Sequence, residues 1–597
     1  MNVNRFPVIV PLLMGACLCA GSLNGKRPAR ADIAQTSFAQ EMQESMAAMD
    51  QQMMSARMTG NPDHDFASMM IPHHRGAVAM AEAELKSGKD PVLRRLAQEI
   101  IVTQRQEIQV MALRLSLLEA PHQRKKGPTP KIAPGKVELP PQPTPVSSLD
   151  RVYTADQTSN TVSVINPATN RLLGIIRLGD PAPGSLSPLY RGQSLVHGMG
   201  FSPDHKTLAV VSIGSNSVTF IDTASNRIRG VVYVGRSPHE AFFSPNGKEV
   251  WVAVRGENYV SIIDAKKMSE VRRVLTANGP AMILFHPDGR YAYIPSSFTP
   301  EVDVVDAKSY KVIARVPQAS PFSPNLAVSQ DGTEVWFTLK DSGKTQVMSG
   351  NPPFRILTTL NTGPISNHVA LIDVSSGKYA YVTVGGLNLV KVFRRGPNPK
   401  LIATIPIGDL PHGIWQSGDG SRVYIGLENQ DAVAAIDTRT NKIIATIPIG
   451  QQPQALVYVP RAVPTGNGRE NLMPLGSAGE ASHISMIPAG SGSGSATVSV
   501  NSLGAVDLLQ IAVSGLLPKH DYQVWLVDSR LTPYGPKQLL INLKTNAAGA
   551  QIGQTIGPLK QILSSSPGAG SNLDQRRFLL VTDAMAAEPV LIQNTDN

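Results

Sequence analysis

At 597 residues and a net charge of +10, the chain is too long for a single hydrophobic core, and about three or four domains are expected. Charged residues are only 17% and aromatics 5%, while Gly (50) and Pro (47) are plentiful, a profile that suits a β-rich, turn-rich extracytoplasmic protein and not a helical cytosolic enzyme. The positive charge is spread along the chain, and the one short basic run, Arg124-Lys125-Lys126, stands in a Pro-rich stretch without aromatic interleaving, which argues against nucleic-acid binding.

Residues 1–31 read as an export signal: Arg5 gives the positive start, Phe6 to Leu23 an apolar stretch interrupted by Pro7 and Pro11, and Ala29-Arg30-Ala31 the cleavage pattern. The rival reading is a lipoprotein signal ending at Met14-Gly15-Ala16-Cys17, which would leave Cys17 as a lipid anchor. No later stretch is long and apolar enough to span a bilayer. Both cysteines, Cys17 and Cys19, fall in the signal. A chain cleaved after Ala31 therefore has no thiol, which removes disulfides, thiolate metal sites and thiol catalysis, and soft-metal chemistry must use Met sulfur and His nitrogen.

Residues 32–117 carry apolar side chains at helical spacing. Met42, Met46, Met49 and Met53 make one stripe; a second helix is expected from about Asp65 to Ser87, stopped by Gly88, and a third from Pro91 to Leu117, together a small antiparallel bundle. A Met stripe alone is ordinary core filling. In the second helix, however, Met69 and His73 are four apart, as are Met70 and His74, and Met80 lies two turns beyond His73, so thioether and imidazole groups share a helix face. Such a set suits Cu(I), or the similar Ag(I), better than a hard cation. The run Phe66…Met69-Met70-Ile-Pro-His73-His74…Ala77…Met80-Ala81, with the later Ala97…Ile100-Ile101…Gln104…Glu107-Ile108…Met111, resembles domain-of-unknown-function family 305 over residues 38–115. The resemblance implies a ferritin-like helical domain and metal binding through Met69, Met70, His73, His74, Met80 and Met111, without implying a reaction. A di-iron centre would need Glu-x-x-His pairs on facing helices, and Glu41, Glu44, Glu82, Glu84, Glu99 and Glu107 are not so placed.

Residues 118–149, punctuated by eight prolines from Pro121 to Pro145, are expected to form a semi-rigid tether. From 150 to 460 a pattern recurs every 42–44 residues: a turn such as Phe243-Ser-Pro-Asn-Gly247 or Phe285-His-Pro-Asp-Gly289, an apolar strand, a third strand ending in Asp (Asp222, Asp264, Asp306, Asp437), and a fourth strand. Four short strands per repeat is the arithmetic of a β-propeller blade. Inner-strand starts near His197, His239, Ala281, Asn325, His368, His412 and Gln454 make seven, and the strand at Gln454 is expected to complete the first blade and close the ring. This stretch resembles the YVTN β-propeller repeat family, a likeness specific for fold and weak for function. His197, His239, His368 and His412 start four of the inner strands and so stand at one mouth of the central channel, as candidates for a second metal site or as plain carbonyl contacts. The arrangement is similar to propeller enzymes such as nitrous oxide reductase, although only four positions carry His and no Cys is available. His286 replaces a turn Ser and is expected to hydrogen-bond within its turn, and covalent c-type haem is excluded by the missing Cys.

Residues 461–495 are Gly/Ser-rich and expected to be a flexible connection; 496–597 alternate apolar and polar residues and are expected to form a β-sandwich. The run Gly515-Leu-Leu-Pro…Tyr522-Gln-Val-Trp-Leu resembles the extracytoplasmic sandwich of anti-sigma-K-type factors, but without a membrane helix sigma-factor regulation does not carry over. The chain is thus expected to be an exported copper- or silver-binding protein in which the propeller offers a second His site or a partner surface. An oxidoreductase centred on the propeller mouth and a metal-independent interaction scaffold remain alternatives; no catalytic constellation stands out.

Overall fold

The computed structural model describes residues 31–90, helical positions scattered between 93 and 115, 145–179, 194–479, 481–502, 506–557, 559, and 577–594 apart from 587. The expected export signal with Cys17 and Cys19, and nearly all of the Pro-rich tether, lie outside the described residues. Two compact units divide the chain, residues 1–131 and 132–597.

The first unit contains two helices, α1 (Ala31–Met54) and α2 (Pro62–Ser87). The start of α2 lies three residues before the expected Asp65, because Asn61 caps it, accepting hydrogen bonds from the backbone of Asp63 (3.0 Å) and His64 (3.4 Å) while Pro62 fills the first turn. Asp65 accepts from the backbone amides of Thr59 (2.7 Å) and Gly60 (2.8 Å), which pins the connecting loop onto the helix. Ala67, Ile71, His74, Val78 and Ala81 form its buried stripe. A second face meets α1 at Gly76, where an added Cβ would lie 2.6 Å from Cβ of Met49; the glycine is what lets the methionine stripe approach. Within that stripe Met42, Met49 and Met53 are half-buried and Met46 is exposed. The described residues from Leu93 to Leu115 are helical as well.

In the second unit, seven four-stranded antiparallel sheets form the propeller. Six blades take their strands consecutively, beginning at Val196, Pro238, Leu284, Leu326, Ser366 and Pro411. The remaining blade pairs Pro453–Val459 with Arg151–Asp156, in the register Arg151 to Val459 and Tyr153 to Val457, so the last inner strand closes the ring as expected. Successive blades share buried apolar layers, among them Trp251 with Ile283 and Ile294, and Trp336 with Leu371 and Val382. They are also stitched by asparagines at the end of a hairpin: Asn160, Asn216 and Asn388 adopt φ of 56°, 53° and 52°, which a short amide side chain tolerates, and each accepts from a backbone amide of the next blade's entry, Leu195, Ser237 and Leu410. The Ser-x-Asp turns close on themselves, with Ser202 Oγ donating to Asp204 and Ser417 Oγ to Asp419. At the position of that Ser, His286 Nδ1 stands 2.6 Å from Asp288, the turn role expected of it.

The tail departs from expectation in two respects. The segment expected as a loose connection is bound along the propeller: Met473 bridges to Ile175, Arg151 donates to the carbonyl of Asn467, and Asn226 donates to those of Gly468 and Glu470. Strand structure resumes at Ala481, fifteen residues before the expected 496, because Ala481–Pro488 is needed to pair with both Ser495–Ser502 and Pro589–Gln593. In place of a two-sheet sandwich there is one eight-stranded antiparallel sheet, coiled barrel-like around a single core of Val498, Ile511, Val524, Val581 and Leu591. Its two edge strands, Lys537–Lys544 and Gln551–Gly557, meet closely enough that a Cβ on Gly553 would lie 2.3 Å from the Leu543 side chain. This sheet docks on the propeller through Ala512, Ala550 and Ile552 against Ile365 and Leu410, and through hydrogen bonds from Asn429 to Thr497, Gln452 to Ser499 and Asn501 to Gln451.

Candidate functional site

Two places collect the metal-type side chains. In the first unit, one uninterrupted helix, α2, carries Met69, Met70, His73, His74 and Met80. At about 100° per residue, Met69, Met80 and His73 fall within an arc of roughly 40°, and Met70 and His74 within another arc of similar width. Met69, Met70, His73 and Met80 are half-buried, and His74 is buried in the stripe of Ile71 and Val78. The two imidazoles lie edge to face, with ring centroids 5.7 Å apart. His73 Nδ1 is buried and has no hydrogen-bond partner. A buried ring nitrogen without a partner is costly unless something else satisfies it. Met111 is helical and half-buried.

The second place is the propeller channel. His197, His239, His368 and His412 are all buried at the start of their inner strands. Each sits in a register irregularity, between Val196 and Met199, Pro238 and Ala241, Ser366 and Val369, and Pro411 and Ile414. Such a bulge re-aims a side chain that a regular strand would send to one blade face. The four imidazoles do not converge on one point; they form two pairs from neighbouring blades, His197 with His239 (centroids 4.3 Å apart) and His368 with His412 (4.7 Å). In each pair one ring is held by the next blade: His239 Nδ1 donates to the carbonyl of Ala281 (2.7 Å) and His412 Nδ1 to that of Gln454 (2.6 Å). A carbonyl only accepts, so Nδ1 carries the proton in both and Nε2 keeps its lone pair. Thr383 links the second pair, donating to the carbonyl of His412 and accepting from the amide of His368.

Beside the first pair lies Glu240, which the sequence reading did not single out. Ligand-type atoms of His197, His239 and Glu240 all lie within 4.8 Å of one another, and among the described residues this is the one group of three or more His, Cys, Asp or Glu so placed. Glu240 Oε2 accepts from the amide of Met199 (3.1 Å). Gly198 makes the space: a Cβ there would stand 2.0 Å from the carbonyl oxygen of His239 and 2.6 Å from Glu240 Oε2. The available signal was the residue after each histidine, a carboxylate only at His239-Glu240, against Gly198, Val369 and Gly413 elsewhere.

Two cavities adjoin these histidines. One, of about 390 Å³, is lined by Glu240, Met199, Met282, His368, Phe242 and Trp415. The other, of about 480 Å³, is formed with the C-terminal sheet and lined by His197, Arg255, Lys340, Glu428, Gln510 and Gln554. Arg255 stacks over Phe322 at 4.9 Å, and Gln510 donates to Glu428 (2.6 Å). Burial, reinforced by the neighbouring Arg255 or Lys340 cations, holds all four histidines well below their usual pKa, so they are neutral. Burial likewise lowers Lys340 to about 8 and Arg255 to about 10, and raises the Glu240 carboxyl well above the ordinary range. Neutral imidazoles, a carboxyl group and two cations around enclosed space can hold a metal ion, an anion, or a polar small molecule.

A family model described as domain of unknown function (DUF305) matches residues 21–115, and one described as lactonase, 7-bladed beta-propeller, matches residues 233–446. No curated protein matches the chain. Among solved structures, the chain is similar to hydrazine synthase of Kuenenia stuttgartiensis (20% identity over 44% of this chain and 89% of that one, TM-score 0.40). It is also similar to a functionally unknown protein from Desulfotomaculum acetoxidans DSM 771 (12%, 51% and 98%, TM-score 0.44) and to the periplasmic gluconolactonase PpgL of Pseudomonas aeruginosa (20%, 52% and 99%, TM-score 0.42). Among the described residues no helix is long and apolar enough to cross a membrane.

Proposed function

We propose that this chain, a DUF305 domain followed by a seven-bladed lactonase-type propeller, is an exported protein that binds a soft monovalent cation, Cu(I) or the chemically similar Ag(I), in its helical head. Met69, His73 and Met80 are the primary ligands, and Met70, His74 and Met111 complete the surroundings, within a ferritin-like helical domain. The observation that carries this reading is the His73 Nδ1 atom, buried and without a partner on the helix face it shares with two thioethers. Thioether sulfur and neutral imidazole favour soft cations, and a d¹⁰ ion accepts the low-symmetry set that one helix face presents. Titration of the full chain with Cu(I) under reducing conditions, followed by native mass spectrometry, is expected to show retained copper in the wild type and its loss in a Met69→Leu/His73→Asn/Met80→Leu variant. A variant that holds copper as tightly as the wild type overturns the reading.

A second reading concerns the propeller, and the lactonase match over residues 233–446 favours it. The Glu240 carboxyl group beside His239, with the Arg255 guanidinium at the adjoining chamber, has the makings of a hydrolytic site for small cyclic esters, with a carboxyl and an imidazole to move protons and a cation to receive the developing carboxylate. Hydrolysis of simple five- and six-membered lactones by the full chain, lost in Glu240→Gln, would support it; absence of turnover above the buffer rate rejects it.

A further inference from the structure

We propose that His197, His239 and Glu240 form a divalent-cation site of the zinc type in the propeller channel, separate from the head and independent of what the head binds. Two imidazoles and one carboxylate with an open fourth position is a three-ligand set that suits zinc. All three residues are at least nine-tenths buried, with exposures of 7%, 3% and 2%. Their ligand atoms lie within 4.8 Å of one another. Two ligands of a tetrahedral zinc ion stand about 3.3 Å apart, so the ligand atoms close by up to about 1.5 Å on the ion, a rotamer-scale adjustment.

Three features of the surroundings point to an ion and not to a plain hydrogen-bonded cluster. His239 donates Nδ1–H to the carbonyl of Ala281, the kind of outer contact that fixes a ligating imidazole, and Nε2 is left as its metal-binding nitrogen. His197 Nδ1 is buried and has no hydrogen-bond partner. Glu240 is buried inside the protein, where its Oε2 accepts a hydrogen bond from the amide of Met199. A cation at their centre satisfies the orphaned nitrogen and the carboxylate together. The related pair provides an internal comparison: His368 and His412 are as buried and His412 has the same backbone bond, but Gly413 stands where Glu240 would be, so that pair lacks a third ligand. The site opens toward the cavity of about 390 Å³ that Glu240 lines, where a fourth ligand, water or a small oxyanion, has room.

The test uses the full chain carrying His64→Asn, His73→Asn and His74→Asn, so that helix α2 contributes no imidazole, stripped of metal and titrated with Zn(II) or with Co(II) as a visible probe. One ion per chain is expected, with the d–d absorbance of a low-coordinate Co(II) site. Glu240→Gln, which keeps the shape and the acceptor for the Met199 amide, and His239→Asn are expected to weaken binding at least about 100-fold. His412→Asn leaves it unchanged. Thermal melts that match the parent verify folding, and Glu240→Gln serves as the decisive variant should His239→Asn not fold. No bound ion in the parent, or equal affinity in Glu240→Gln, overturns the proposal. Because Cu(I) uptake by the unmodified head is measured separately, either site can fail without the other.

Discussion

The arrangement at the channel depends on a glycine, and Gly198→Ala measures how tightly. A Cβ at that position would stand 2.0 Å from the His239 carbonyl oxygen and 2.6 Å from Glu240 Oε2, against an ordinary carbon–oxygen contact of about 3.2 Å. The first obstacle is backbone, so rotating a side chain does not relieve it, and the inner strands of two neighbouring blades must part by about an ångström. Overpacking of this kind costs about 1–3 kcal/mol, which for a unit of this size lowers the apparent Tm by roughly 1–3 °C. Gly492→Ala is the matched control, since nothing lies within 4 Å of its added Cβ. Differential scanning calorimetry of both variants reads the effect. A Gly198→Ala melt that coincides with that of Gly492→Ala would show that the two blades do not approach as described and that Glu240 is not held against His239.

Other expectations follow from particular contacts. Val457, fully buried in the closing strand, should not tolerate a charge: Val457→Asp is expected to cost more than about 4 kcal/mol and to admit proteolysis within the propeller, and unchanged protease resistance would contradict the closure. Asp156 is fully buried and burial raises its carboxyl to about 7, in spite of hydrogen bonds from Thr154, Ser163 and Thr161. The folded state therefore binds a proton that the unfolded state releases between about pH 4 and 7, so this group's contribution favours folding at low pH and is lost as pH rises through that window. Asp156→Asn should flatten that part of the Tm–pH curve; an identical slope in wild type and variant would reject the assignment. In the head, Gly76→Val would drive a side chain into Met49 and is expected to reduce helical ellipticity and Cu(I) retention together, and a helical signal equal to the wild type would show that α1 and α2 do not meet there.

The propeller was legible because its evidence is repeated. Each Ser-x-Asp turn and each strand ending in Asp222, Asp264, Asp306 or Asp437 reports one blade, and the unmatched fragments at either end imply closure. The tail was less legible because strand alternation has the same period whether strands pair into two sheets or into one coiled sheet; pairing of Ala481–Pro488 with Pro589–Gln593 joins segments about a hundred residues apart, which local pattern does not report. The composition of residues 462–479 suggests looseness, but the contacts that hold them come from Arg151, Asn226 and Ile175, remote in sequence. At the channel, the four histidines were visible from their place in the repeat, but their division into two pairs was not. Glu240 was missed because neighbours on a regular strand face opposite ways, and the irregularity between Pro238 and Ala241 that brings it beside His239 has no mark in the sequence beyond the charge itself.

Copper K-edge X-ray absorption on the full chain loaded with one equivalent of Cu(I) addresses the soft-metal head most directly. A first shell of two sulfurs and one nitrogen, matching Met69, Met80 and His73, is the expected result. A shell of nitrogen and oxygen alone, or copper lost on simple gel filtration, would contradict it.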